Sequence, residues 1–564
     1  MHRLLIIVAC ALITQVSFAQ NKNKTKQKSA GVSLITNLQS HIGFLADDKL
    51  EGRRTGTPGE KLAMEYISNQ FQQAGLLSKG TNNYYQSFEV NEGKQVEPSS
   101  HLIINNIDLK LNRDYFPFPW SPDISLEALP SVGLKESDMP WFIDLKETIE
   151  ENKNNPHFDL EAYLKTKAAE VKKKSASALI IYNSSAIEDK LVFNGRDRSA
   201  PLSIPVLYVS KTVASKLFRD TDTPLDLKLK IKLTEKIKKG HNVIGFINNN
   251  AATTVILGAH FDHLGYGEDG NSMLRTGEKL IHNGADDNAS GTAALIELAK
   301  MIKTGCSNKK DRSLLTSNYL FIAFSGEELG LYGSKYFTEN PTIDLSAAKY
   351  MINMDMVGRL NDSTHALTVG GYGTSPKWGE YYSSGSLKNK QDFLIKYDSS
   401  GTGPSDHTSF YRKDIPVLFF FTGLHTDYHK PSDDAEKINY AGEAKIINHV
   451  YHIIYTLSKE SGKLTFTKTR EPQTTGSMRT MSVSLGIMPD YTFSGSGVRC
   501  DGVTEGRPAQ KAGLKAGDII IQIDDFSISS MDAYMQTLGK FKKGDKAKVK
   551  YKRGNETMEA EVQF

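Results

Sequence analysis

Gly258-Ala259-His260-Phe261-Asp262-His263, then Asn283-Gly284-Ala285-Asp286-Asp287-Asn288-Ala289-Ser290-Gly291, then Phe324-Ser325-Gly326-Glu327-Glu328 carry the reading of this chain. Asn353-Met354-Asp355-Met356 and Asp427-Tyr428-His429-Lys430-Pro431 continue the series. Imidazoles and carboxylates recur where apolar runs end. Those runs read as strands at Val243 to Ile247, Thr254 to Ala259, Tyr319 to Phe324, Tyr350 to Asn353 and Val417 to Phe421, the last continuous, as in a strand buried on both faces. Helical patterns at Ser290 to Ile302 and Gly330 to Phe337 alternate with them. The expectation is an α/β fold, a mostly parallel sheet sandwiched by helices. In such sheets functional groups collect at the carboxyl ends of strands, where His260, Glu327, Glu328 and Asp355 stand.

His260, Asp286, Glu328, Asp355 and His429 are candidate metal ligands, since imidazole nitrogen and carboxylate oxygen suit zinc. A shared carboxylate can join two ions about 3.5–4 Å apart. Asp262, two residues past His260, is placed to accept the other ring N–H and fix the tautomer. In the pair Glu327-Glu328, consecutive residues point different ways, so one can ligate while the other carries a proton. Taken singly, each of these residues is more often structural: a histidine after a strand is usually a satisfied polar end. Five at strand ends in one domain make coincidence a poor account.

Outside this core, Leu34 to Leu45 and Glu60 to Ala74 read as helices, with Leu62, Tyr66, Ile67, Phe71 and Ala74 at helical spacing and Gly75 as a stop. Between them Glu51-Gly52-Arg53-Arg54-Thr55-Gly56-Thr57-Pro58-Gly59 reads as a turn-rich surface loop. Phe116 to Pro122 cannot continue regular structure and marks a crossing between domains. Residues 124–235 then form an α/β insert, with a helix from Leu160 to Lys174 and strands Ala178 to Tyr182 and Ile204 to Val209. The Thr-rich residues 466–480 read as a linker, and 481–564 as a separate, small β-rich module. The central domain is thus expected over 31–123 and 236–465.

The central motifs resemble the dizinc aminopeptidase family typified by secreted bacterial leucine aminopeptidases, in a clan with glutamate carboxypeptidases and glutaminyl cyclases. The resemblance runs from Val32 to Ser458 apart from the insert and takes in the Gly-Arg loop at Gly52 to Gly56. It implies two zinc ions, with His260, Glu328, Asp355 and His429 as ligands, Asp286 as the bridging ligand in a cis link to Asp287, and Glu327 as general base. His263 and His425 are rival ligands that the motifs disfavour, and Ser405-Asp406-His407 matches a family segment near the substrate pocket. The insert resembles a protease-associated domain. The terminal module resembles a bacterial PDZ domain, chiefly through Pro508-Ala509 to Gly517-Asp518, with Leu485-Gly486-Ile487 offering N–H groups to a peptide carboxylate.

The expected function is an exported metallo-aminopeptidase acting on peptides. The alternatives are a carboxypeptidase or glutaminyl cyclase of the same clan, or a peptide-binding scaffold. The wording at Gly52 to Gly59 and Asn353 to Arg359 is nearest the aminopeptidases. A formal charge of +4 over 564 residues gives no case for nucleic acid. Met1 to Ala19 reads as a secretory signal, hence a periplasmic or secreted location; a lipid anchor at Cys10 is disfavoured because the apolar run before it is short. No later segment is apolar and long enough to cross a membrane. Cys306 and Cys500 lie in different domains, so disulfides are not expected to hold the fold.

Overall fold

The computed structural model describes residues 32–153, 158–197, 199–274, 276, 278–383, 393–469, 483–489, 493, 495–503, 506–529, 531–542 and 544–564. The signal-like start and most of the linker lie outside these residues. The chain forms two compact units, one from residues up to Val90 together with Lys239–Pro472, the other from Asn91–Lys238 with Gln473–Phe564.

The first unit is built on a nine-stranded sheet among the described residues. Its strands are β1 (Leu77–Ser78), β2 (Tyr85–Val96), β3 (Leu233–Ile247), β4 (Thr254–His260), β5 (Asn318–Phe324), β6 (Ala348–Met354), β7 (Ala366–Gly370), β8 (Leu394–Tyr397) and β9 (Val417–Phe421). They run in the order β1-β3-β5-β4-β6-β9-β7-β8, with β2 also on β3. The centre is parallel: β4 pairs with β5 and β6, and β6 with β9. The flanks turn antiparallel, β3 against β5 and β7 against β9, so the sheet is mixed.

Every residue of β4 and β6 is buried, Lys349 and Asn353 of β6 included, as in strands covered on both faces. Helices α1 (32–45), α2 (Pro58–Gln73), α3 (Gly291–Cys306) and α5 (Tyr440–Leu457) pack into one apolar core with strand residues such as Leu257, Phe321 and Ile352. Phe324, Phe337 of α4 (Tyr332–Glu339), Met351 and Phe410 form another core. Thr57 caps α2 by accepting from Glu60 N, and Glu60 in turn accepts from Gly56 N at 2.7 Å, so the Gly-Arg loop is fixed to the helix it precedes.

Residues 91–123, read from sequence as part of the central domain, instead fall in the second unit with the insert, the unit boundary lying within β2. His101–Ile104 pairs with Leu227–Ile231, and Tyr115–Pro117 with Val206–Val209. The proline-rich run, expected to be a crossing that cannot continue regular structure, instead begins as the edge strand of a sheet, where the donor that proline lacks is not needed. Among the described residues the insert has two four-stranded sheets, and its helix Leu160–Lys173 is capped by Asp159. The first linker residues are also bound: Thr467 N donates to Thr374 O at 2.8 Å, and Gly401 N to Thr469 Oγ1 at 2.9 Å. The terminal module is a small sheet of its own, in which Lys546–Arg553 and Glu556–Gln563 form a long antiparallel pair. Cys306 is a free cysteine.

Candidate metal centre

The carboxyl ends of β4, β5 and β6 deliver His260, Glu327-Glu328 and Asp355 to one place because the three strands are adjacent and in register: His260 lies opposite Phe324, and Gly258 opposite Asn353. His260 Nε2 stands 3.3 Å from Asp355 Oδ1, 3.4 Å from Asp287 Oδ1 and 4.0 Å from Glu327 Oε2. On the other side, His429 Nε2 is 3.3 Å from both Asp287 Oδ2 and Glu328 Oε2, and His263 Nδ1 is 2.7 Å from Glu328 Oε1. Among the described residues two sets of donor atoms emerge, one from His260, Glu327 and Asp355 and one from His263, Asp287 and Glu328.

Asp287, not Asp286, is the carboxylate between them: its two oxygens face His260 and His429 separately. Asp286 turns the other way. Its Oδ1 accepts from Gly358 N at 2.6 Å and Ser290 Oγ at 3.0 Å, and its Oδ2 faces His425 Nε2 at 3.2 Å. The cis peptide likewise joins Asp287 to Asn288 rather than Asp286 to Asp287. In a run of two aspartates the side chains diverge, and composition alone does not say which faces the strand ends. Gly284 makes the turn into this loop with φ 57°; a Cβ there would come within 2.1 Å of Asp287 O and 2.4 Å of the His263 ring.

The surroundings of these residues are built to hold them. Asp433 Oδ2 accepts from Asp286 N at 3.0 Å and Asp287 N at 3.1 Å. Asn288 links the same loop to the β6 end, donating to Met354 O and accepting from Met356 N and Gly291 N. Ser405 Oγ donates to Asp355 Oδ2 at 2.8 Å, whereas Asp406 and His407 are fully buried and His407 stacks on Phe419. Asp262 differs from its expected role: the nearest acceptor to His260 Nδ1 is the Asp262 carbonyl at 3.2 Å, with the carboxylate 3.8 Å away. That carboxylate accepts instead from Glu327 N at 3.2 Å and Thr55 Oγ1 at 3.0 Å.

Arg53 lies beneath the centre, wholly buried. Its Nε donates to Phe261 O at 2.6 Å, Nη1 to Leu45 O and Asn283 O, and Nη2 to Gly284 O at 2.7 Å and Asp287 O at 3.4 Å. The loop read as a surface turn is therefore an interior one. Asp287, Asp433, Thr55 and Arg53 are the residues to which sequence reasoning assigns no role at the centre, whereas Ser405 lies in the Ser405-Asp406-His407 segment already singled out. Asp433 sits in the same Asp-Tyr-His-Lys-Pro-Ser-Asp run as His429, which was the one available signal.

The donor set fits a cation. Burial opposes charge on His429, yet Glu328 and Asp287 raise its pKa to about 11; burial also opposes charge on His260, which Asp355 and Glu327 nonetheless lift well above the ordinary histidine range. Both positions thus lie in fields that favour positive charge. Burial pushes Glu327 well above the usual carboxylate range; Glu328, buried beside His429 and His263, is held well below it.

A mixed α/β sheet with histidine and carboxylate donors converging at its strand ends defines the class of a metal-dependent enzyme domain. Residues 242–454 match the profile of Peptidase family M28, and residues 474–564 that of the PDZ domain. The chain is 28% identical over 291 residues to Aminopeptidase YwaD of Bacillus subtilis, covering 50% of this chain and 56% of that one. It is 24% identical over 420 residues to Probable lipoprotein aminopeptidase LpqL of Mycobacterium tuberculosis, covering 71% and 75%. The chain spans about half the length of the Bacillus relative. Among solved structures, the aminopeptidase from Aneurinibacillus sp. strain AM-1 is 22% identical with a TM-score of 0.41, over 78% of this chain and 97% of that one.

Proposed function

We propose that the chain is an exported aminopeptidase that removes N-terminal residues from peptides with two zinc ions and a glutamate base. The observation that supports this best is the placing of Asp287 between His260 and His429, with Glu327 at 4.0 Å from His260. His260 and Asp355 would hold one ion, Glu328 and His429 the other, and Asp287 would be shared. Bound zinc supplies Lewis acidity toward the scissile carbonyl and acidifies water.

The remaining steps belong to the chain. Glu327 takes a proton from the attacking water and passes it to the leaving amine. Its backbone is held at N by Asp262 and at O by the Gly330 and Leu331 N–H groups, which leaves the carboxylate to move the proton. Ser405 and Asn288 keep the Asp355 segment aligned with Asp287. Arg359 is held by Asp427 at 3.0 Å, which argues against its gripping a substrate carboxylate as a carboxypeptidase requires.

The terminal module is proposed to receive a peptide C-terminus at Leu485-Gly486-Ile487, where Gly486 has φ 74°, and the insert to be a protease-associated domain. Among the described residues no helix is long and apolar enough to cross a membrane, and the signal-like start supports export. The test offers one peptide free at both ends, one N-acetylated and one C-amidated, with products followed by mass. Cleavage of the free and amidated peptides only, lost with chelator and restored by zinc, is expected. Cleavage that survives acetylation and stops on amidation overturns the reading, and ring closure of N-terminal glutamine without cleavage replaces it with a cyclase.

A further inference from the structure

We propose that Arg53 is a positioning residue of the metal centre, a clamp that sets the backbones carrying His260 and Asp287 at their working separation before any ion arrives. The proposal rests on the metal-centre reading above.

The loop is built to send this one side chain inward. Glu51, Gly52 and Arg53 have φ of 47°, 68° and 39°, three successive residues in the left-handed region. At Gly52 a Cβ would lie 2.6 Å from His282 O and 2.7 Å from Gly265 O, so the backbone passes against the neighbouring loops with no room for a side chain. Arg54 meanwhile pairs with Asp269 at 2.6 and 2.8 Å, which fixes the next residue of the turn.

The acceptors of Arg53 identify its task. Phe261 O lies between His260 and Asp262, and Asn283 O, Gly284 O and Asp287 O line the loop that bears the shared carboxylate. These two segments reach the site from different places in the sequence, one from the end of β4 and one from the turn before α3. A guanidinium offers five N–H groups in a fixed planar fork, and here every one of its nitrogens donates to a carbonyl. A lysine ammonium cannot span both segments with that geometry.

The charge is as informative as the hydrogen bonds. A buried guanidinium bonded to neutral carbonyls carries the desolvation cost of an ion without touching a counter-ion. Its compensation comes through space: Asp287, Asp262, Asp433 and Glu328 are the carboxylates whose fields favour it. Arg53 therefore offsets part of the repulsion among carboxylates that must sit close together to receive cations.

The test uses the full-length protein and its Arg53→Lys variant, which keeps the charge and loses the fork. Zinc affinity is read by chelator competition, ligand geometry by the visible spectrum of the cobalt-substituted protein, and turnover by kcat and KM. The expected result is a folded variant whose zinc affinity falls about 10- to 100-fold, the range seen when groups that orient ligands are lost. Its cobalt spectrum is altered, and kcat falls more than KM rises. A merely structural arginine would lower the melting temperature and leave affinity and cobalt spectrum unchanged in the folded protein, which overturns the proposal.

A second measurement needs no variant. Hydrogen exchange of the wild-type protein should show the amides of 260–263 and 283–288 still protected after chelation, within about tenfold of the zinc-loaded protein, since about 1.4 kcal/mol is tenfold. Loss of protection by 100-fold or more would mean that the ions, not Arg53, set the site. A wild-type protein that binds zinc but cleaves no peptide sinks the aminopeptidase reading and leaves this inference standing; an Arg53→Lys enzyme indistinguishable from wild type does the reverse.

Discussion

Replacing Asp433 by alanine should damage the metal centre without touching a proposed ligand. Its carboxylate is fully buried and its Oδ2 accepts from two backbone N–H groups, those of Asp286 at 3.0 Å and Asp287 at 3.1 Å. Alanine leaves both donors buried without a partner. Each costs about 1–3 kcal/mol, so the loss is about 2–6 kcal/mol, concentrated on the two residues whose direction decides whether Asp287 faces the histidines. Asp433→Asn keeps one oxygen acceptor and should lose about 1–3 kcal/mol, the difference between charged and neutral acceptors over two bonds. Denaturant unfolding in excess chelator reads the part that belongs to the fold, and zinc competition on the folded protein reads the part that belongs to the loop. We expect Asp433→Ala to weaken zinc at least tenfold beyond Asp433→Asn. If both variants match wild type in stability and zinc affinity, the carboxylate does not hold the loop and the reasoning fails.

Glu327→Gln should reduce kcat by several orders of magnitude with two zinc ions still bound, because it removes a proton carrier and no ligand; zinc content by atomic absorption beside the rate checks this. Asp287→Ala should lose zinc and thermal stability together, whereas Asp286→Ala should keep its zinc, and a reversed pattern would return the shared role to Asp286. Acid stability should depend on His449 of α5, which burial, reinforced by His452, holds down at about 4. The unfolded chain takes up that proton near the ordinary 6.5, so the contribution is complete above about pH 6.5 and falls as pH drops toward 4, by about 3 kcal/mol in all. Unfolding free energies of wild type and His449→Gln between pH 7.5 and 4 should therefore converge as pH falls; parallel curves would show that His449 does not titrate in this range.

The parts of the fold that could be read from sequence are those where a single physical constraint speaks. Val417–Phe421 has the ends that its unbroken apolar run predicts, although Phe419 and Phe421 on one face are only half-buried. His260, Glu327 and Asp355 were placed at one site because the strands before them were visible and strand ends share an edge. The choice between Asp286 and Asp287 was not visible, since it is made by Asp433, Ser290 and Gly358, partners up to 147 residues away. Arg53 was misread for the same reason: a Gly-Arg-Arg turn is polar in sequence, and only the carbonyls of Phe261, Asn283 and Gly284 make the interior a place where arginine belongs. The antiparallel flanks and the early start of the insert escaped because strand direction and pairing are long-range properties that alternation of side chains does not encode.

The pairing of β1 with β3 fixes an order of assembly. Leu77 lies opposite Phe246, and Ile244 N donates to Tyr84 O at 2.7 Å, so the early strand segments find their partners only after the whole insert has been made. A chain emerging from a ribosome or a translocation channel exposes that edge until residue 247 has cleared, and the inward-facing residues of α2, which pack on α3 and on Phe321, for longer still. Slow release of the insert region should therefore lengthen the time in which the first ninety residues are open to proteases and chaperones. Synonymous changes that alter elongation across 91–238 would alter yield without altering one atom of the finished enzyme.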